Sequence, residues 1–204
     1  LDKKMNLTTT NFTDNLKIEK DEYTFISLKK AESKLNFVID KLPFSYRILL
    51  ENLIRKKSST NTSEKDLENL INQRTGEEIL FCPSRVLMQD YTGVPAIADL
   101  AAMRDKFKGD GNDPEKINPV VPVSLIIDHS INVDSYSKKD SLRINVKKEY
   151  ERNSERYKLL KWAQSSLKNF LLFPPGSGIC HQINLEFLAQ VVQTEDKFLF
   201  MDSV

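Results

Sequence analysis

A continuous apolar run at residues 123–127 is the feature that most constrains the fold of this chain. Such a run is typical of a strand that is covered on both faces, as in parallel sheets flanked by helices. A second strand is predicted at residues 86–88, and segments with helical spacing of apolar residues alternate with both strands. The order of strands and helices predicts an α/β fold, a layered α/β/α arrangement with a largely parallel sheet.

Further elements follow from local patterns. Helices are predicted to begin at Pro43 and after the capping residue Ser63. Further helices are predicted at residues 96–104, about 151–171 and 184–192, and short strands at 23–28 and 79–81. We interpret residues 92–95 as a turn and residues 134–150 as a polar surface excursion. We also predict an N-terminal arm over residues 1–41 and a domain over residues 42–204.

Composition restricts the partners of the chain. Its 204 residues include 30 Lys and Arg against 29 Asp and Glu, a net charge of +1, so nothing global indicates a polyanion partner. Cys82 and Cys180 form no Cys-x-x-Cys motif, and so low a cysteine count fits a reducing compartment. No apolar run approaches the roughly 20 residues that cross a bilayer, and neither a signal nor a transit peptide is visible. We therefore expect no membrane partner.

Polar residues follow both predicted strands, where open α/β sheets bind their ligands. Gln89 comes after the first strand, and its amide suits a ligand carboxylate or hydroxyl, although it could equally bond to the backbone. Asp128 and His129 follow the second strand, and a carboxylate beside a histidine tunes its basicity. Alternatively, Asp128 caps a turn, and His129 lies in the core with its hydrogen-bonding groups satisfied.

The other histidine, His181, follows a glycine-rich turn at residues 174–178 and opens a helical pattern. Glycines allow a ligand to approach the backbone closely, and a helix start offers free N–H groups to an anion. Alternatively, the segment is a plain turn from a loop into a helix, with His181 near the helix start. The segment is neither a phosphate-binding loop nor a dinucleotide fingerprint.

Taken together, these segments resemble the aconitase family from about residue 42 to the end of the chain. The branch that they resemble is that of cytosolic aconitase and the iron regulatory proteins, to which bacterial aconitase A is also similar. The resemblance is carried by residues 43–51, 84–95, 99–104, 113–119, 127–130, 152–156, 161–162 and 174–182.

The resemblance implies a dehydratase that interconverts citrate and isocitrate through cis-aconitate, with a [4Fe-4S] cluster as Lewis acid. It implies that Gln89 contacts the substrate. It further implies that Asp128 and His129 form the pair that helps to protonate the departing hydroxyl, and that His181 is a further active-site histidine. It implies a cytoplasmic location as well, with the mitochondrion as the alternative.

The resemblance also implies that much of the site lies outside this chain. In the family, the cluster cysteines, the substrate-binding arginines and the serine base all come later, and Cys82 and Cys180 match none of the cluster ligands. We therefore expect the chain to be the first part of a longer, monomeric parent. Alone, it is expected to hold no cluster and to be inactive.

Two other functions stay open for that parent. In the cluster-free form, the iron regulatory branch binds RNA stem-loops, which would make the parent a regulator rather than an enzyme. The basic residues of this chain alternate with acids, which favours a solvated surface. A parent that acts on homoaconitate or isopropylmalate is the third interpretation, and the match through residues 84–104 favours aconitase over it.

Overall fold

A computed structural model describes residues 8–60, 62–128 and 130–204. Its contacts divide the chain into two compact units, one running to Ser84 and including Gln190–Ser203, the other consisting of Arg85–Ala189. The predicted boundary between an arm over residues 1–41 and a domain over residues 42–204 stays a prediction. In the part of the chain described, none of the helices combines the length and hydrophobicity that a bilayer span requires.

The strands and helices alternate along much of the chain, and the predicted α/β class is confirmed. The strands are β1 Thr13–Ile18, β2 Asp21–Ile26, β3 Val86–Gln89, β4 Val123–Ile126, β5 Phe170–Phe173, β6 Val192–Glu195 and β7 Phe198–Met201. The helices are α1 Leu28–Leu35, α2 Phe44–Lys56, α3 Glu64–Ile71, α4 Asp90–Gly109, α5 Ser141–Arg152, α6 Ser154–Ser166 and α7 Cys180–Ile183, the last continuing as a π-helical turn over Asn184–Leu188.

The first unit is a four-stranded sheet with three helices. Its strand order is β1-β2-β7-β6, in which β2 and β7 run parallel and the outer pairs antiparallel. As predicted, α2 begins after Pro43, and Ser63 caps α3 through a capping box with Asp66. The core of the unit consists of Phe12, Ile26, Ala31, Leu42, Leu50, Leu53, Ile54, Leu67 and Leu70.

The ion pair between Glu51 and Arg55 is buried in this unit. Glu51 Oε1 accepts a hydrogen bond from Arg55 Nε at 2.8 Å, and the two side chains are only 3% and 9% exposed. The Arg55 guanidinium also lies over the ring of Phe200, 4.4 Å from its centroid. Burial raises the pKa of the Glu51 carboxyl above its ordinary value, and Arg55 offsets part of that shift.

The second unit is the parallel sheet that the sequence predicted. Its order is β3-β4-β5, and β4 is the central strand, paired along one edge with β3 and along the other with β5. The helix α4 packs on β3 and β4, and α6 packs on α4 and β5. The core of this unit consists of Ile97, Leu125, Ile127, Leu160, Ala163 and Leu167.

Several local predictions are wrong. Residues 79–81 form no strand, and residues 92–95 lie inside α4 instead of a turn. The polar excursion contains α5, and the long predicted helix is divided into α6 and β5, because Asn153 and Leu167 leave the helical conformation. The final helix ends at Leu188, and residue 192 begins β6. These differences shift element boundaries but leave the fold class unchanged.

Candidate active site

A pocket of about 170 Å³ lies in the second unit, at the carboxyl ends of β3 and β4. The two strands run parallel with Gln89 opposite Ile126, so the residues that follow them emerge at the same edge of the sheet. The start of α7 provides a further wall. The lining residues are Gln89, Asp90, Tyr91, Ile126, Ile127, Asp128, Ile179, Cys180 and His181.

The structure thus brings three of the four predicted site residues around one pocket. Gln89 comes from β3, Asp128 from the segment after β4 and His181 from α7, although they span 93 positions of the chain. The fourth predicted residue, His129, lies outside the residues that the structure describes. Its place in the site stays a prediction, as do the chemical roles of the other three.

Each of the three residues is positioned by its local backbone. Gln89 ends β3 and precedes the first residue of α4, and its carbonyl accepts a hydrogen bond from Thr92 Oγ1 at 3.2 Å. Asp128 is exposed, and its Oδ1 accepts a hydrogen bond from the Ser130 backbone N–H at 2.9 Å. That bond makes Asp128 a turn-capping residue, as the structural alternative predicted, and its carboxylate still lines the pocket.

The glycine-rich turn places His181. Gly178 has a φ of +145°, which side-chain-bearing residues rarely adopt, and Gly176 has a φ of +80°. Ser177 closes the turn by donating from Oγ to the Pro174 carbonyl at 2.7 Å. His181 is the second residue of α7 and is exposed beside the pocket, with Cys180 next to it. An imidazole in this place can donate a hydrogen bond to a ligand in the pocket or accept one from it.

A second, polar pocket of about 390 Å³ adjoins the first and shares Asp90, Tyr91 and Asp128 with it. Its remaining lining residues are Ser130, Ile131, Asn132, Glu149, Asn153 and Arg156. Three carboxylates and one guanidinium therefore face this space. The surplus of negative charge makes it a poor site for an anionic ligand.

A group that we call the Arg156 cluster connects this polar pocket to α4. Arg156 Nη1 donates to Asp90 Oδ2 at 2.9 Å, and Nη2 donates to Glu149 Oε1 at 3.3 Å and to the Tyr157 hydroxyl at 3.1 Å. Glu149 Oε1 also accepts from the Tyr157 hydroxyl at 3.0 Å and from Asn153 Nδ2 at 2.8 Å. Burial raises the pKa of Tyr157; the hydrogen bond from Arg156 opposes that rise, and the hydrogen bond to Glu149 adds to it.

Sequence analysis singled out neither Asp90 nor Arg156 as a functional residue. Asp90 directly follows Gln89 and is only 4% exposed, so its charge needs a partner. That partner is 66 positions away along the chain, and local periodicity carries no signal for such a pairing. The only sequence signal was the resemblance itself, which included residues 152–156.

Metal ligands are not grouped in the described residues. Within residues 8–60, 62–128 and 130–204, no three His, Cys, Asp or Glu side chains are placed to hold a metal ion. Cys82 and Cys180 are free thiols that belong to different units.

Comparisons with known proteins agree with the resemblance. The model of the aconitase family (aconitate hydratase) matches residues 60–203. Aconitate hydratase A of Rickettsia conorii is 49% identical over 195 residues, which cover 96% of this chain and 22% of the relative. The corresponding protein of Streptococcus mutans is 42% identical over 197 residues, 95% of this chain and 22% of the relative.

A third relative, aconitate hydratase A of Thermus thermophilus, is 48% identical over 175 residues, which cover 84% of this chain and 19% of the relative. The chain therefore spans about a fifth of the length of these curated relatives.

Proposed function

Because this chain belongs to the aconitase family, we propose that it contributes one wall of the active site of an aconitate hydratase. The proposed reaction interconverts citrate and isocitrate through cis-aconitate, a dehydration followed by a hydration. The observation that carries the proposal is the convergence of Gln89, Asp128 and His181 on one pocket at the carboxyl ends of β3 and β4. Relatives that share this part of the chain bear the name of the same enzyme.

The proposed role of Gln89 is to bind the substrate. Its carboxamide has two N–H donors and a carbonyl acceptor, which suit a carboxylate and a hydroxyl on neighbouring carbons. Gln89 is exposed at the pocket although the residues beside it are held in place, Met88 in the ladder with β4 and Asp90 by Arg156. Because the backbone on both sides of Gln89 is fixed, only the side-chain rotamers of Gln89 have to be ordered on binding.

The proposed role of the Asp128–His129 pair is to deliver a proton to the hydroxyl that leaves as water. A general acid must lie within hydrogen-bond reach of the leaving oxygen, and a carboxylate beside an imidazole stabilises the protonated form that donates. The pocket-lining position of Asp128 supports this role for the pair. His181, on the α7 side of the same pocket, is proposed as a second proton carrier.

The family implies a [4Fe-4S] cluster that activates the departing hydroxyl. Because Cys82 and Cys180 match none of the cluster ligands of the family that the chain resembles, we propose that the ligands in the whole protein are other residues. The roles of Gln89, Asp128 and His181 concern substrate binding and proton transfer only. RNA binding by a cluster-free form stays an alternative, and the ion pairing of Lys148 and Arg152 with Asp134 gives it no particular support.

Replacement of Asp128 in the whole protein tests the proposed reaction. Asp128→Asn removes the charge that supports protonated His129 and leaves the size of the side chain nearly unchanged. Turnover should therefore fall by about 10²-fold or more in both directions, from citrate and from isocitrate. Asp105→Asn, at an exposed position on α4, is the matched control and should keep wild-type turnover. Equal turnover of the two variants would refute the role of Asp128.

A further inference from the structure

The Arg156 cluster joins segments that are remote in sequence. Asp90 is the first residue of α4, Glu149 lies in the last turn of α5, Asn153 separates α5 from α6, and Arg156 lies in the first turn of α6. The guanidinium is therefore a bridge between the first residue of α4 and the junction of α5 and α6. A planar fork of donors can hold two acceptors at fixed angles, which a lysine ammonium cannot do.

The bridge ends one residue from the pocket. Asp90 is almost fully buried and lines both pockets, while its neighbour Gln89 is exposed at the first pocket. Met88 and Gln89 are held on the sheet side by their pairing with Leu125 and Ile126. On the other side of Gln89, the 2.9 Å hydrogen bond from Arg156 to Asp90 holds the first residue of α4.

Arg156 is unsuited to bind a polycarboxylate itself. Its Nη1 and Nη2 atoms already donate to Asp90, Glu149 and Tyr157. The carboxylates of Asp90, Asp128 and Glu149 around the polar pocket outnumber its single positive charge. An anionic substrate would meet net repulsion in this space, so the guanidinium acts on its protein neighbours.

We propose that Arg156 is a positioning residue, which holds Asp90 and thereby sets the place of the Gln89 amide in the candidate active site. This inference rests on the proposed function for its kinetic consequence, although the positioning itself is a property of the fold. Loss of the fork would leave the buried Asp90 carboxylate poorly paired, and the start of α4 would shift to reach water or another donor. The Gln89 side chain would move with it.

The test uses the whole protein with Arg156→Lys, which keeps the positive charge but lacks the fork. Because Gln89 is proposed to bind substrate, the Michaelis constant for citrate should rise and kcat/KM should fall by about tenfold to a hundredfold, the effect of small misplacements in active sites. Loss of folded protein would lower the apparent kcat without changing KM. The division between KM and kcat therefore separates positioning from a general structural role.

Arg104→Lys is the matched control. Arg104 is more deeply buried than Arg156 but, like it, donates to three groups, the Ile117 carbonyl at 2.9 Å, Asn118 at 3.1 Å and Glu115 at 3.3 Å. It lies on α4 about 21 Å along the helix axis from Asp90 and lines neither of the two pockets described. Its substitution should lower stability and leave KM unchanged. A similar rise in KM for both variants would overturn the proposal.

A double-mutant cycle of Arg156→Lys with Gln89→Ala tests whether Arg156 acts on kcat/KM through Gln89. If Arg156 acts through Gln89, Arg156→Lys should change kcat/KM by less than about threefold once Gln89 is alanine, since coupled residues are not additive. Full multiplication of the two single effects would overturn the proposal.

A second measurement keeps the positioning claim separate from the proposed function. If the wild-type whole protein does not turn over citrate, the proposed function fails. Amide hydrogen exchange at residues 89–91 then decides the positioning claim, because backbone amides exchange faster where the junction of β3 and α4 is loosened. Faster exchange in Arg156→Lys than in Arg104→Lys would support the claim, and equal exchange would overturn it.

Discussion

Glu51 shows how a single buried carboxyl makes the stability of the first unit depend on pH. Burial raises its pKa above the ordinary value of 4.5, so the folded state binds the proton more tightly than the unfolded state. The stabilisation from this proton is fully present below pH 4.5 and is lost as the pH rises through the raised pKa of the folded state. The Arg55 ion pair opposes this trend but is the smaller effect.

Glu51→Gln should therefore remove a pH dependence. Gln carries no titrating proton, so the free energy of unfolding of the wild type, relative to that of the variant, should decrease as the pH rises above 4.5. Chemical denaturation at a series of pH values measures this difference, and Glu68→Gln, at an exposed position on α3, is the control. An increase in the difference with pH would mean that the Arg55 pair dominates.

His181 carries the clearest residue-level prediction for activity. In the whole protein, His181→Ala should lower the turnover number by about 10²–10⁴-fold, the usual contribution of a general acid–base group. Glu186→Ala, exposed in the π-helical turn that continues α7, should leave it unchanged. Steady-state assays with cis-aconitate measure both variants. Wild-type turnover of His181→Ala would exclude a proton-carrying role.

The close packing of α4 against β4 leaves no room for a side chain at Gly93. A Cβ added to Gly93 would lie 2.5 Å from Leu125 Cδ1 and 3.1 Å from Met88 Cβ. Because Leu125 is fully buried, it has little room to move, and Gly93→Ala should lower the free energy of unfolding by about 1–3 kcal/mol.

Gly109 provides the control for that substitution. It is the last residue of the same helix, and nothing lies within 4 Å of an added Cβ. Gly109→Ala should be neutral, or stabilising by at most about 1 kcal/mol from helix propensity. Denaturant titrations of both variants test the comparison. Equal stabilities would contradict the close approach of α4 to the sheet.

At the same scale, some elements follow from sequence and others do not. The run that became β4 was predictable because it is apolar at nearly every position and too short for a buried helix. The strand β5 was missed because Phe170 and Leu171 continue the helical spacing of α6. The chain leaves the helix through extended Leu167 and left-handed Asn169, whose φ is +57°. Periodicity does not register such backbone choices.

The same physical limit applies to the candidate site. Gln89, Asp128 and His181 were predictable because the ends of parallel strands meet at one edge of a sheet and because the motifs resemble a family. The Asp90–Arg156 pair was not, since it depends on which helix packs beside the start of α4. Local rules place residues on elements, and packing decides which elements meet.

The chain spans about a fifth of the length of its curated relatives. Because Cys82 and Cys180 match none of the cluster ligands of the family that the chain resembles, we predict that the 204-residue chain alone neither holds an iron–sulfur cluster nor turns over citrate. Reconstitution with iron and sulfide, followed by absorbance spectroscopy and iron analysis, checks this prediction. Stoichiometric cluster formation on the isolated chain would contradict it.

The most direct test of the account is the conversion of citrate to isocitrate by the whole protein, measured beside its Gln89→Ala variant. We expect the wild type to turn over substrate in both directions. Its Gln89→Ala variant should have a raised Michaelis constant, because Gln89 is proposed to bind substrate. Absence of turnover in the cluster-loaded wild type, or an unchanged Michaelis constant in the variant, would contradict the account.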